Sequence, residues 1–502
     1  MAYEGLISEE EKVELVGKIA SVIDKENLSS NVLGKNEVKI AVEKILALQR
    51  HQPEVCLEVE VISAFDIPKY KYDETQKRFV SAPNRKTLFS TAEEKSLLYR
   101  ERYLLILQRL RRNSIFAPPP LWASTRRSYH KLLTVDSLSS IMCASGAEDQ
   151  NLVVLFGMLS QLEEGKFYLE DLTGHVLLDF TEAKVTAGLF VENSMALVQG
   201  LYAEGLLRVQ VLGSPPTESK ELSRDVLKSA NFFGGTFVHD YFVMDELGKK
   251  EADNETAMIV CLSDVWLDKP EVLEKLNELL RGYEPLLPEA FIFMGNFSRG
   301  PQSAHSFFEL RVTDLFKKLA GVLAQYKQLV MRSKFIFVPG PQDPGPGHVL
   351  PRPPLPDVLT KPLKDLLKHN AVFATNPCRV RYGTQEIVVF REDLIAKLKR
   401  NSVLTPSADE GPLHFHMVKT LMEQSHLSPL PLHASPIYWW FDHALRLYPL
   451  PDTLILGDQY AHFTVEYEGV SCFNPGSFLS SGFHFMVYWL AARKPELRYQ
   501  AE

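Results

Sequence analysis

Four short apolar runs in the C-terminal half stop abruptly at small or turn-forming residues, and the polar groups just beyond them are the candidates for chemistry. Met258 to Leu262 leads into Ser263-Asp264-Val265-Trp266-Leu267-Asp268, and Phe291 to Met294 leads into Gly295-Asn296-Phe297-Ser298-Arg299-Gly300. Phe335 to Val338 leads into Pro339-Gly340-Pro341-Gln342-Asp343-Pro344-Gly345, and Leu454 to Leu456 into Gly457-Asp458-Gln459-Tyr460-Ala461-His462. The polar side chains these loops deliver decide what chemistry a site there could do. Runs of this kind read as buried central strands, and ligands bind beyond the carboxyl ends of strands in α/β sheets. The four loops are therefore expected to gather at one sheet edge.

The order of the loops resembles the calcineurin-like metallophosphoesterase family, whose patterns are DxH, GDxxD, GNH followed by an acid, and GHxH. Each is damaged here. Asp264 is kept, but Trp266 stands in place of the histidine; Asn296 and Arg299 replace the two aspartates of the second pattern. Pro341 and Gln342 replace Asn-His with Asp343 retained, and Asp458 and Tyr460 stand in a last loop that lacks both histidines. An indole offers a donor and no lone pair, and a guanidinium at position 299 would place positive charge where a cation belongs. The resemblance thus implies a degenerate site without catalytic, cofactor-binding or metal-ligating residues.

Other signatures are weak. His414-Phe415-His416 is an HxH pair without carboxylate partners, expected at the surface or capping a helix. The segment Gly340 to Gly347 lacks the Gly-Lys-Ser/Thr ending of a phosphate-binding loop, and Ser477 lacks the second glycine of a nucleophile elbow.

The rest of the 502-residue chain supplies further domains. With 45% hydrophobic and 24% charged residues it can bury a large core, and no apolar run is long enough to span a membrane. A net charge of −8 argues against a main task of gripping duplex DNA, so any DNA contact is expected to be local and weak. Five scattered cysteines without a CxxC pair suit reduced thiols in a cytosolic or nuclear protein. Residues 1–54 show two helical stripes, Leu15, Ile19 and Val22, then Val38, Val42, Ile45 and Leu46, and read as a small helical domain. Residues 55–90 read as a linker containing one strand-like stretch. A helix from Ala92 to Arg112 interleaves leucines with Arg100, Arg102, Arg109, Arg111 and Arg112, which a solvated face would explain. Five strand-like segments between Leu152 and Leu212 fit an OB barrel, giving a domain over 91–225, with the phosphoesterase-like domain over 226–502. The fold class is α+β multidomain.

Six segments carry a narrower resemblance. Asn231-Phe232-Phe233-Gly234-Gly235, Leu262 to Asp268, Gly295 to Ser298, Thr375-Asn376-Pro377-Cys378-Arg379, Phe390-Arg391-Glu392-Asp393-Leu394 and Asn474-Pro475-Gly476-Ser477-Phe478 are similar to the B-subunit family of replicative DNA polymerases, in its epsilon branch. The resemblance implies a nuclear, non-catalytic scaffold in which the OB and inactive phosphoesterase-like domains bind the cysteine-rich, zinc-binding C-terminal domain of the DNA polymerase epsilon catalytic subunit. It further implies histone-fold small subunits and replicative helicase components as partners. Two alternatives remain: an active phosphoesterase with rearranged ligands, drawing on Asp264, Asp268, Asp343, Asp458 and the unused histidines, and a single-stranded DNA binder working through the barrel. The group Tyr438-Trp439-Trp440-Phe441 is either a partner-binding patch or core.

Overall fold

A computed structural model describes residue 39 and residues 57–82, 87–119, 129–140, 152–227, 230–235, 241–299, 306–346, 348–406 and 410–499. The helical stripes expected over 1–54 lie outside the described residues, apart from Lys39, which is helical.

The stretch expected as a linker is integral to the fold. Strand β1 (Val59–Ser63) is followed by a hairpin of β2 (Tyr70–Asp73) and β3 (Arg78–Ser81). β1 pairs with a strand more than 300 residues further on, in register Val59 to Tyr382, so this segment seals one edge of a C-terminal sheet.

The helix Ala92–Leu110 begins with a capping box in which Thr91 and Glu94 satisfy each other's backbone N–H groups. It precedes β4 (Leu132–Leu133) and the barrel strands β5 (Leu152–Glu163), β6 (Lys166–Glu170), β7 (His175–Asp179), β8 (Lys184–Val185), β9 (Met195–Ala203) and β10 (Leu206–Gly213). Pairing runs β5-β6-β7-β10-β9 and returns from β9 to β5, which closes the barrel. These are the strands the alternation predicts. Closure brings backbones together at Gly200, where a Cβ would meet the Arg208 carbonyl at 2.3 Å, so only glycine fits.

The C-terminal half contains two sheets. The first holds β11 (Met258–Ser263), β12 (Ala290–Met294), β13 (Lys334–Val338) and β14 (Ala371–Phe373) in parallel. The second holds β15 (Cys378–Tyr382), β16 (Gln385–Arg391), β17 (Thr453–Gly457), β18 (Phe463–Tyr467) and β19 (Val470–Asn474) with β1, in the order β1-β15-β16-β17-β19-β18. β20 (His484–Trp489) and β21 (Lys494–Tyr499) complete the first sheet in antiparallel fashion.

Alternation along the strands divides their side chains between layers. Val260, Leu262, Phe291, Phe293, Phe335 and Phe337 face helices including Pro270–Tyr283 and Asp357–Leu367. Ile259, Cys261, Ile292, Met294, Ile336 and Val338 instead meet Val380, Ile387, Val389, Ile455 and Phe473 of the second sheet. The outer face of that second sheet packs Val388, Phe390, Leu454 and Leu456 against the helices Leu394–Asn401 and Leu413–Glu423. The result is helix, sheet, sheet, helix. Phenylalanines form a cross-strand ladder on the first sheet, with centroids 5.2 Å apart for Phe291 and Phe335, 5.4 Å for Phe293 and Phe337, and 4.9 Å for Phe337 and Phe373.

The arginine face of the basic helix is solvated only in part, at Arg100, Arg111 and Arg112. Arg102 and Arg109 are buried: Arg102 reaches Asp442 at 2.6 Å, and Arg109 donates to Ser425 Oγ and to the carbonyls of Pro215 and Glu423. Burial pulls the Arg109 pKa down to about 10. Arg102 and Arg109 therefore serve as anchors onto the α/β half, a role the local pattern cannot distinguish from exposure.

The barrel is held by side chains of the helix Leu413–Glu423 and its end. Thr420 Oγ1 accepts from the Leu189 N–H at 2.8 Å, and the Gln424 amide pairs with both backbone groups of Met195 at 2.8 and 2.7 Å. His416 is buried here and accepts from the Gly188 N–H at 2.9 Å, which corrects the surface or capping position expected for it. His414, two residues earlier, instead stacks on Phe463 with centroids 4.9 Å apart.

Candidate functional site, the meeting point of the strand-end loops

The loops gather at the carboxyl ends of two sheets, β11 to β13 in the first and β16 and β17 in the second, and not at one sheet edge. Asp264 follows β11 with a positive φ of 53° and is buried. Its Oδ1 accepts from the Asn296 backbone N–H and Nδ2, both at 3.1 Å. Asn296 Oδ1 in turn accepts from the Gln342 N–H at 2.7 Å, which ties the loop after β12 to that after β13. Asp343 completes the tie by accepting from the N–H groups of Phe297 and Gly340, both at 2.8 Å. Burial raises its carboxyl pKa to about 6 despite those two donors.

At the centre is a residue that the pattern of strand ends does not single out. Arg391, the last residue of β16, is fully buried, and its guanidinium reaches across to the other sheet. It donates to Asp264 Oδ1 at 2.7 Å, the Gly295 carbonyl at 2.5 Å, the Gly457 carbonyl at 2.9 Å and Asp393 Oδ1 at 2.8 Å. Burial opposes its charge, but Asp264 and Asp393 outweigh that and raise its pKa. The apolar run Ile387 to Phe390 ending in an arginine is the signal that could have found it, since it has the same form as the four runs that carry the phosphoesterase resemblance.

The remaining candidates lie further out. Arg299 is exposed, its guanidinium 5.1 Å from the ring centre of Trp266, so the positive charge expected from it at the site comes from Arg391 instead. Trp266 and Phe297 are buried, Phe297 packing on Phe316 at 5.5 Å. Pro341 is half-buried and Gln342 exposed, so the Gln342 backbone contributes while its side chain faces outward. Asp458 accepts from the Ile395 N–H at 3.0 Å and the Tyr460 N–H at 2.9 Å, holding the second sheet's loop to the start of the helix Leu394–Asn401. Burial raises its pKa. Tyr460 is partly exposed, and its ring lies 6.1 Å from that of His414.

These residues do not fit a two-metal centre. The guanidinium already supplies a positive charge to Asp264, and no imidazole or thiolate joins the group that surrounds it among the described residues. A metal at that point would have to displace a buried arginine. The arrangement can hold the loops in fixed relation.

The comparisons with known proteins agree with the two-part architecture. Residues 259–465 match the DNA polymerase alpha/epsilon B-subunit family, and residues 92–216 match the DNA polymerase epsilon subunit 2-like OB-fold domain. The chain is 40% identical to DNA polymerase epsilon subunit 2 of Mus musculus over 98% of its own length and 92% of that protein's. It is 39% identical to the DNA polymerase epsilon B-subunit of Arabidopsis thaliana, covering 87% and 82% of the two chains. Identity to the B-subunit of Saccharomyces cerevisiae DNA polymerase epsilon is 26%, covering 84% and 72%. With the barrel and the two-sheet region each matched, and similarity running along nearly the whole chain, the protein belongs to the B-subunit family of DNA polymerase epsilon.

Proposed function

We propose that the chain is a non-catalytic scaffold subunit of the DNA polymerase epsilon holoenzyme in nuclear DNA replication, with a degenerate phosphoesterase-like domain as its rigid body. It binds the zinc-binding C-terminal domain of the catalytic subunit, and in the assembly it meets histone-fold small subunits and replicative helicase components. The observation that carries the non-catalytic part is the buried Arg391 guanidinium on Asp264, which leaves the retained aspartate of the first phosphoesterase pattern already paired with a positive charge. The four-layer packing of two mixed sheets between helices supports the phosphoesterase-like reading.

The barrel offers little support for an independent single-stranded DNA binder. Tyr168 donates its hydroxyl to Glu163 at 3.1 Å and Phe167 lies beside Phe180, so these aromatics are engaged within the domain. The deciding experiment is co-purification of the tagged chain from nuclear extract, with identification of the bound proteins, metal analysis and a phosphodiesterase assay. Recovery of the polymerase catalytic chain with an inert subunit is the expected outcome. A chain that purifies alone and turns over phosphate esters with stoichiometric metal overturns the assignment.

A further inference from the structure

Beside the barrel, where its leading helix ends, the surface opens into a cavity of about 450 Å³ that the strand-end loops do not share. Tyr103 and Leu107 of the helix Ala92–Leu110, Leu132 and Leu133 of β4 and Phe156 of β5 form its floor. Tyr103 stacks on Phe156 with centroids 5.0 Å apart, which fixes that floor. Leu172, at the turn between β6 and β7, and Tyr129 stand at the mouth, 45% and 42% exposed. Large apolar side chains left in water around a preformed concavity mark a binding surface. The charges at the mouth differ in how far they are committed. Asp171 is spent on its own turn, accepting from the N–H groups of Thr173 at 2.7 Å, Gly174 at 3.0 Å and Val135 at 2.8 Å, and Glu74 pairs with Arg100 at 3.6 Å. Arg111 and Lys131 are exposed, and neither side chain has a hydrogen bond or ion pair to a described residue. The unmatched charge at the mouth is therefore positive.

We infer that this cavity docks an extended peptide segment of a partner protein, with large apolar side chains in the cavity and acidic residues beside Arg111 and Lys131. The edge of β4 favours a peptide over other ligands. β4 is the terminal strand of its sheet and, among the described residues, pairs with β5 alone. Its outer edge can take a further strand, whose alternate side chains then enter the cavity. A single-stranded nucleic acid fits less well, because it needs open stacking platforms and a tract of cations. Here Phe156 covers one face of Tyr103, and Arg111 and Lys131 make no tract in a chain of net charge −8. The chain's own segment 120–128 adjoins the cavity in sequence, but it carries Arg126 and Arg127 and no acid, the wrong sign for this mouth. The inference identifies the partner by its chemistry and does not depend on the polymerase assignment.

The test titrates the full chain into a fluorescein-labelled peptide, Gly-Asp-Glu-Leu-Phe-Asp-Glu-Gly, and follows fluorescence anisotropy at low ionic strength. Saturable binding is expected, and replacing Leu-Phe by Ala-Ala, or the four acids by lysines, should each weaken it about tenfold or more. Lys131→Glu and Leu172→Asp in the protein should each weaken it by roughly tenfold with the melting midpoint unchanged. Lys184→Glu, which alters an exposed cation of β8 away from the cavity, should leave it as it is. Should one of the two cavity variants unfold, the other carries the test. No binding, equal binding of the lysine peptide, or full affinity in a folded Lys131→Glu chain overturns the inference. Two further outcomes also overturn it by naming another occupant. Binding that appears only when 120–128 is replaced by a Gly/Ser linker assigns the cavity to the chain's own segment. Displacement of the peptide by oligo(dT), lost in Lys131→Glu, assigns it to nucleic acid.

Discussion

Replacing Arg102 by Met should reveal how strongly the barrel's leading helix is bolted to the α/β half. Arg102 donates to Asp442 Oδ1 through Nε at 3.0 Å and Nη2 at 2.6 Å, with both side chains buried. At that separation, in an effective dielectric of about 20, a unit pair attracts by roughly 6 kcal/mol before desolvation is counted. Asp442 would keep His426 at 3.1 Å and Arg446 at 3.6 Å, so part of the loss is recovered. The expected net cost is about 3 kcal/mol near pH 8, at the low end for breaking a buried pair from one side. The pH dependence supplies a second, independent signature. His426 has its pKa lowered to about 4, first by burial and then by Arg102, while Asp442 pulls the other way. Removing Arg102 raises that pKa, so a protonated His426 can take over as counter-charge and the deficit shrinks as pH falls. Urea unfolding of the full chain, followed by tryptophan fluorescence at about pH 8 and about pH 6, measures both effects. A cost below about 1 kcal/mol, as for an exposed pair, or an equal cost at the two pH values, refutes this account of the network.

Two glycines should respond in opposite directions to alanine. At Gly457 a Cβ would approach Arg391 Cδ at 2.6 Å, Ser263 Oγ at 2.8 Å and Met294 Sδ at 3.0 Å, so Gly457→Ala should cost about 1–3 kcal/mol in unfolding measurements. Gly321, within the helix Ser306–Leu323, has nothing within 4 Å of an added Cβ, and Gly321→Ala should stabilise by up to about 1 kcal/mol. Acid should weaken the wild-type chain through two buried histidines, His426 and His443, whose pKa values are each lowered to about 4, chiefly by burial. The unfolded chain binds more protons than the folded one between about pH 6.5 and pH 4, so stability is lost as the pH is lowered through that window, by roughly 3 kcal/mol per histidine. Replacing either by a neutral residue should flatten the profile of the melting midpoint against pH.

The barrel strands and the four strand-end loops were legible from local pattern, because alternation and continuous apolar runs report directly on which faces are buried. Trp266 and Pro341 at loop positions were visible without coordinates. Arg391 was not. It sits in the segment Phe390 to Leu394, but its function comes from reaching Asp264 and Gly295, over 90 residues away and on the other sheet. The stretch 55–90 read as a linker because the polar residues after its strand-like start carry weak packing signals, and the partner of β1, β15, comes more than 300 residues later.

The basic helix makes the division plain. Its leucine and arginine spacing determined that a helix forms and that one stripe docks, but a buried arginine and a solvated one look alike until their partners are known. Arg102 and Arg109 are buried because Asp442, Ser425 and two backbone carbonyls wait for them in the folded state. Sequence alone determined the barrel strands, the strand-end runs and the family, all of which depend on neighbours in the chain. Tertiary structure alone decided that the loops meet between two sheets and that an arginine supplies the charge there, because charge compensation depends on distance in space and on the exclusion of water.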